Sequence, residues 1–229
     1  MITAGVVHLV RHAETISYES DAGLTERGRE QARERGRLLA TSLPQSASVL
    51  LAHAPAERAR ETAETLRTVL HAEAGPRLEI AECTVEPDFR NVQVQLNGVE
   101  LDPTEARVQL GSHAGWALEA ERFWQAHQDG DAMGFWLLTP LLWHESPQTV
   151  VRRMLHGIVR HASRLTSEHL VAVTHSGCMR ALVAWAAGGD QGEPFNAEEV
   201  VAAADLHQST VEITYRNRTW HMSLDGIVV

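Results

Sequence analysis

Two stretches of the chain, LVRHAET at Leu9 to Thr15 and VTHSGCMR at Val173 to Arg180, place a histidine just after a run of apolar, β-branched residues. Such a run reads as a buried strand, so His12 and His175 are expected at strand C-terminal ends. An imidazole can attack phosphorus through one ring nitrogen, provided that the other holds its proton against a backbone acceptor. Arg11, beside His12, offers planar paired donors that match phosphate oxygens, and His175 offers one more donor. These residue types therefore suit a phosphate ester. An Arg-His pair among thirteen histidines is a weak signal by itself, so the elements that carry it must decide.

Gly5 to Val10 reads as the first strand, stopping where Arg11 and His12 begin. Leu24 to Leu43 reads as a helix with Thr25 as its cap and alternating Arg and Glu on its wet face. Ser48 to Leu51 is a second strand, Ala56 to Ala72 a second helix, and Arg77 to Cys83 a third strand. From about 86 to 145 the alternation lapses, although Trp116, Ala120, Phe123, Trp124 and His127 recur at helical spacing. Ser146 then caps a helix whose first residue is Pro147. Leu170 to Thr174 is a fourth strand, followed by a helix that stops at Gly188 and Gly189. STVEITY and RTWHMSL form a hairpin about Asn217. The expected fold is α/β, a mostly parallel sheet with helices on both faces, which binds ligands at the carboxyl ends of its strands.

Composition removes several alternatives. All 20 cationic side chains are Arg, so chemistry that needs a lysine, such as a Walker-type loop or a Schiff base, is excluded. A net charge of −10 argues against nucleic acid as a partner. Cys83 and Cys178 are far apart, implying neither a disulfide framework nor a thiolate metal site. No histidine pattern has metal-ligand spacing, so no metal and no cofactor are expected. The opening residues lack a basic leader and a long apolar run, so a soluble cytoplasmic protein without a membrane partner is expected. The sequence sets no oligomeric state.

Several segments, in order, resemble the histidine phosphatase superfamily, the phosphoglycerate-mutase-like enzymes with an R-H-G motif. LVRHAET is similar to that motif. LTERGREQARERG resembles its L-T-x-x-G-x-x-Q-A helix through Leu24, Thr25, Gly28, Gln31, Ala32 and Gly36. APAERARETAETL matches at Pro55, Arg58, Ala59, Thr62 and Ala63. HESPQ matches a G-E-S segment at Glu145 and Ser146. VAVTHSGCMRAL matches at His175, Gly177, Arg180 and Ala181. The resemblance implies one domain over 1–229, with an inserted cap at about 90–144. It implies His12 as the phosphorylated nucleophile, Arg11, Arg58 and His175 as the phosphate pocket, and Glu86 of EPDF as the acid for the leaving group. Glu82 is the alternative acid. The implied activity is hydrolysis of a phosphate monoester, on a small molecule or a phosphoprotein. A mutase-type phosphotransferase and a noncatalytic phosphate-binding homologue are the competing readings.

The chain departs from the family pattern at three places. Ala13 and Ser176 stand where glycine usually follows each histidine, at a cost on the order of 1 kcal/mol or more if those positions need positive φ. Tyr18 stands where an asparagine often binds phosphate. Four other features have plainer readings. His8 lies on the same strand face as His12 but about 13 Å away, and is read as a packed residue. Trp116, Trp124, Trp136 and Trp143 are read as packing of the inserted segment. Cys178 is read as a small apolar helix residue, and the Arg-rich stretch 27–37 as a solvated helix face.

Overall fold

Arg11 and Thr174 stand side by side in the register of two parallel strands, β1 (Gly5–Arg11) and β6 (His169–Thr174). The residues that follow them, His12 and His175, therefore leave the sheet at one level, and the His12 amide donates to Thr174 O at 2.9 Å. This geometry comes from a computed structural model, which describes residues 5–18, 20–96, 98–103, 105–106, 114–164 and 169–226.

The sheet has seven strands in the order β3-β2-β6-β1-β7-β8-β9. β2 (Ser48–His53) and β3 (Glu79–Val85) continue the parallel half. β7 (Glu199–Asp205) turns antiparallel against β1, and β8 (Thr210–Tyr215) and β9 (Arg218–Ser223) extend it as a hairpin. Arg216 and Asn217, both at positive φ, make the two-residue turn that the right-handed strand twist favours. The mostly parallel sheet agrees with the expected class. β7 was not anticipated: EVVAAAD lacks aromatic residues and sits between two charged residues, although every second side chain in it is buried.

Strand side chains alternate between two cores. Val7, Leu9, Leu170 and Ala172 pack with α5 (Pro147–Ser163) and α6 (Ser176–Ala187). Val10, Val49, Val171 and Val173 pack with α1 (Glu26–Ser42) and α2 (Glu57–Ala74). The caps are those expected: Thr25 accepts from the Gly28 amide, Ser146 accepts from the Thr149 amide before Pro147, and Gly188 ends α6 in the left-handed region.

Between β3 and α5 the chain makes a short 3-10 turn at Pro87–Phe89 and the hairpin β4 (Val94–Leu96) and β5 (Val99–Leu101). The helices α3 (Ala114–Gln128) and α4 (Ala132–Leu138) follow. No described helix is long and apolar enough to cross a membrane.

Candidate active site

The loop after β1 is held from three sides, on two of them by residues that the sequence motifs contain. Gln31 of α1 accepts from the Glu14 amide at 2.9 Å, and Thr62 of α2 accepts from the Ala13 amide at 3.1 Å. From beyond the sheet, Asn196 donates to His12 O at 3.1 Å. Gly28 is required by close approach: a Cβ there would stand 2.1 Å from Glu14 O, the oxygen that also accepts from the Thr25 amide. The motif helices thus fix the backbone on either side of His12. Ala13 and Ser176 are both outside the positive-φ region, so neither carries backbone strain. Ala13 is fully buried, and Ser176 is the first residue of α6.

His12 Nδ1 lies 2.8 Å from Ala13 O, so that nitrogen carries the proton and Nε2 keeps its lone pair. Burial, then the charges of Arg58 and Arg11, hold the ring well below the ordinary imidazole pKa. The His175 ring stands edge-on to it with centroids 5.2 Å apart. Arg58 Nη2 lies 3.3 Å from His175 Nδ1, and a guanidinium can only donate, so the His175 proton belongs on Nε2. Burial and Arg58 lower its pKa in the same way. His175 Nε2, Arg11 Nε and Arg58 Nε are buried without a hydrogen-bond partner in the protein. Unmatched donors of this kind, two of them on guanidinium groups, mark an anion-binding site.

These groups line a cavity of about 310 Å³. Arg11 reaches Pro194 O, Tyr18 Oη at 3.3 Å and Glu193 Oε1 at 3.4 Å. Tyr18 therefore stays at the site, its ring 6.1 Å from that of His12, and orients Arg11. Arg58 reaches Asp21 Oδ1 and Asp102 Oδ2, each at 3.3 Å. Asp102 also accepts from Asn91 Nδ2 at 2.6 Å. Trp124 and His127 of α3, with rings 4.9 Å apart, join the wall with Phe123.

Four of the five expected site residues, Arg11, His12, Arg58 and His175, line this cavity, and Glu86 does not. Glu86 caps the turn at Pro87–Phe89, whose Phe89 is fully buried, and its carboxylate is paired with Arg160 of α5. The alternative, Glu82, lies on the outer surface against Arg67. Neither carboxylate expected as the acid lines the cavity. The packing reading of the tryptophans holds for Trp136, which is buried and donates to Glu145 O, and for Trp143. It fails for Trp124, a wall residue, and the Trp116 side chain lies outside the described residues. His8 is packed as expected, between Glu199 at 2.6 Å and His169 at 3.0 Å. Asp102, Asn91, Glu193 and Asn196 were missed, because no motif singles out polar residues in long connections.

The buried neutral imidazoles make a prediction about stability. An unfolded histidine takes up a proton near the reference value 6.5, whereas folded His12 and His175 resist it. His161, pushed down to about 4 by burial, then Arg164 and His169, behaves alike. The unfolded state thus binds more protons below that pH, and stability, complete above it, is lost as pH falls. The urea midpoint should drop between about pH 7 and about pH 5, and less steeply in His161→Gln. Equal midpoints at the two pH values would contradict the burial of neutral rings.

An α/β sheet with two imidazoles at adjacent strand ends and two arginines around a half-open cavity has the make-up of an anion site. The chain belongs to the histidine phosphatase superfamily, branch 1, whose family model matches residues 7–224. Bacillus stearothermophilus YhfR is similar in fold, with a TM-score of 0.60 at 21% identity over 93% of this chain and 97% of that one. The mycobacterial glucosyl-3-phosphoglycerate phosphatase in complex with inorganic phosphate has a TM-score of 0.57 at 20% identity, over 96% and 99%. A putative α-ribazole-5'-P phosphatase from Escherichia coli has 0.54 at 16%, over 99% and 98%. No curated protein sequence matches significantly. Among the described residues there is no His, Cys, Asp or Glu cluster able to hold a metal ion.

Proposed function

We propose that the protein is a phosphomonoesterase that transfers the phosphoryl group of its substrate to His12 and then to water. The observation that carries this reading is the Nδ1 contact of His12 with Ala13 O, which leaves Nε2 of a neutral ring as an in-line nucleophile between two arginines. Arg11, Arg58 and His175 Nε2 donate to the equatorial oxygens, where negative charge must be held throughout the transfer. The segment at about 90–144 acts as a cap, supplying Asp102 and the aromatic wall of Phe123 and Trp124.

Hydrolysis is favoured over a phosphoglycerate mutase activity by charge. A phosphoglycerate carries a carboxylate beside its phosphate and needs a further cation. Among the described residues, the cavity adds no arginine beyond Arg11 and Arg58, and its remaining charged lining is Asp102, Asp131 and Glu193. The noncatalytic reading loses its motive where Ala13 and Ser176 are unstrained and Tyr18 supports Arg11. A panel of sugar, nucleotide, aryl and glycerol monophosphates and phosphopeptides should yield free phosphate from at least one class. With 3-phosphoglycerate no isomerised product should form. Isomerisation without phosphate release would reverse the assignment.

A further inference from the structure

From His12 outward, one wall of the cavity is a track of rings. Tyr18 stands edge-on to His12 with centroids 6.1 Å apart, and His127 of α3 stands edge-on to Tyr18 at 6.3 Å. Trp124, about one helical turn before His127, meets it edge-on at 4.9 Å, and Phe123 meets Trp124 at 6.5 Å. All five rings line the same cavity, to which Pro103 and Met133 add further apolar surface. Phe123 is buried and stacks on His144 at 4.8 Å, so it anchors the outer end of the track. Tyr18 and His127 are exposed and Trp124 is partly so, which leaves ring surface open to a ligand. Single apolar side chains in water need no explanation, but rings that adjoin one another along a cavity wall mark a surface for a ligand of like character.

Resting on the phosphatase reading above, we infer that the substrate is a small phosphate monoester whose alcohol carries an uncharged aromatic ring, and that Trp124 is its specificity-determining residue. Tyr18 Oη lies 3.3 Å from Arg11 Nη2, so an ester whose phosphate is held by Arg11 has its alcohol within reach of the track. A substrate ring laid there packs against Trp124 and Tyr18 in the offset or edge-to-face arrangements that aromatic pairs prefer. It gains the burial of apolar area without the cost of stripping water from a charge. A second anionic group would find no such match. Phosphate engages Arg11 and Arg58, and the remaining charged lining among the described residues is Asp102, Asp131 and Glu193. At about 310 Å³ the cavity stands near the lower end of small-molecule pockets, about 300 to 1,000 Å³, which suits a phosphate and about one ring system. Contacts to the ring form before the phosphoryl group moves and persist while it does, so they lower KM more than they raise kcat.

The test uses propyl phosphate and 3-phenylpropyl phosphate, whose alkoxide leaving groups are alike, so that their ratio reads recognition rather than bond cleavage. Wild type should favour the phenyl ester in kcat/KM by about 10- to 100-fold, mostly through KM. In Trp124→Ala that ratio should fall by about tenfold. His127→Ala, which trims an exposed side chain, should lower it by about two- to fivefold, and gives the same reading should Trp124→Ala fail to fold. A ratio near one in wild type, or a ratio unchanged in the variants, would overturn the proposal. So would a preference for 3-(4-carboxyphenyl)propyl phosphate over the uncharged ester. Release of phosphate from sugar or alkyl phosphates without the aromatic preference would overturn the substrate class alone and leave the phosphatase reading standing. Failure of the wild-type protein to release phosphate from any ester would instead overturn the phosphatase reading itself, and this inference with it.

Discussion

His12→Ala should abolish turnover and leave no phosphoenzyme. With ³²P-labelled substrate, wild type quenched within a turnover should carry an acid-labile, base-stable label, and His12→Ala none. Steady-state phosphate release should fall by on the order of 10⁴-fold or more, as when a covalent nucleophile is removed elsewhere. The size of the effect follows from the site. His12 is held by a backbone acceptor on Nδ1, so its Nε2 keeps the lone pair that attack requires. His175 cannot replace it, because Arg58 occupies its Nδ1 and thereby makes its Nε2 a donor. His12→Asn is the folding control, since it keeps a polar group of similar reach towards Ala13 O and should show the same catalytic loss. Its urea midpoint near neutral pH should lie close to wild type. A label retained in His12→Ala would place the phosphoryl group on another residue and end the phosphohistidine reading.

The parallel half of the sheet, its helices and the site's cations were legible because each rests on local pattern. β1 and β6 are short continuous apolar runs, Thr25 and Ser146 are cap residues with one geometry, and Gln31 and Thr62 keep fixed spacings to the loop that they hold. The segment between β3 and α5 was legible only as an interruption. β4 and β5 are three residues each, too short for alternation to register, and α4 is two turns long. The direction of Glu86 was not legible, because it is set by Arg160, on a helix 74 residues away, and no local pattern reports that pairing. Ala13 could not be weighed from sequence, because the cost of its Cβ depends on a φ angle that only the fold supplies.

Arg153→Met should be the most destabilising single change near the site. Its side chain is 8% exposed and grips Glu145, 3% exposed, through two parallel bonds of 3.0 and 2.9 Å. The same guanidinium donates to Asp88 O at 2.6 Å, Arg90 O at 3.0 Å and Asn91 O at 3.4 Å. Methionine would leave the carboxylate buried, with Arg90 at 3.8 Å as its remaining cation, and three carbonyls without this donor. Breaking one side of such a pair costs about 3–5 kcal/mol, whereas replacing both sides by apolar groups is often neutral. Urea unfolding should show a loss of that size in Arg153→Met and substantial recovery in Arg153→Met with Glu145→Leu, the coupling being read from a double-mutant cycle. A loss below about 1 kcal/mol would show that the pair is far more hydrated than its burial implies.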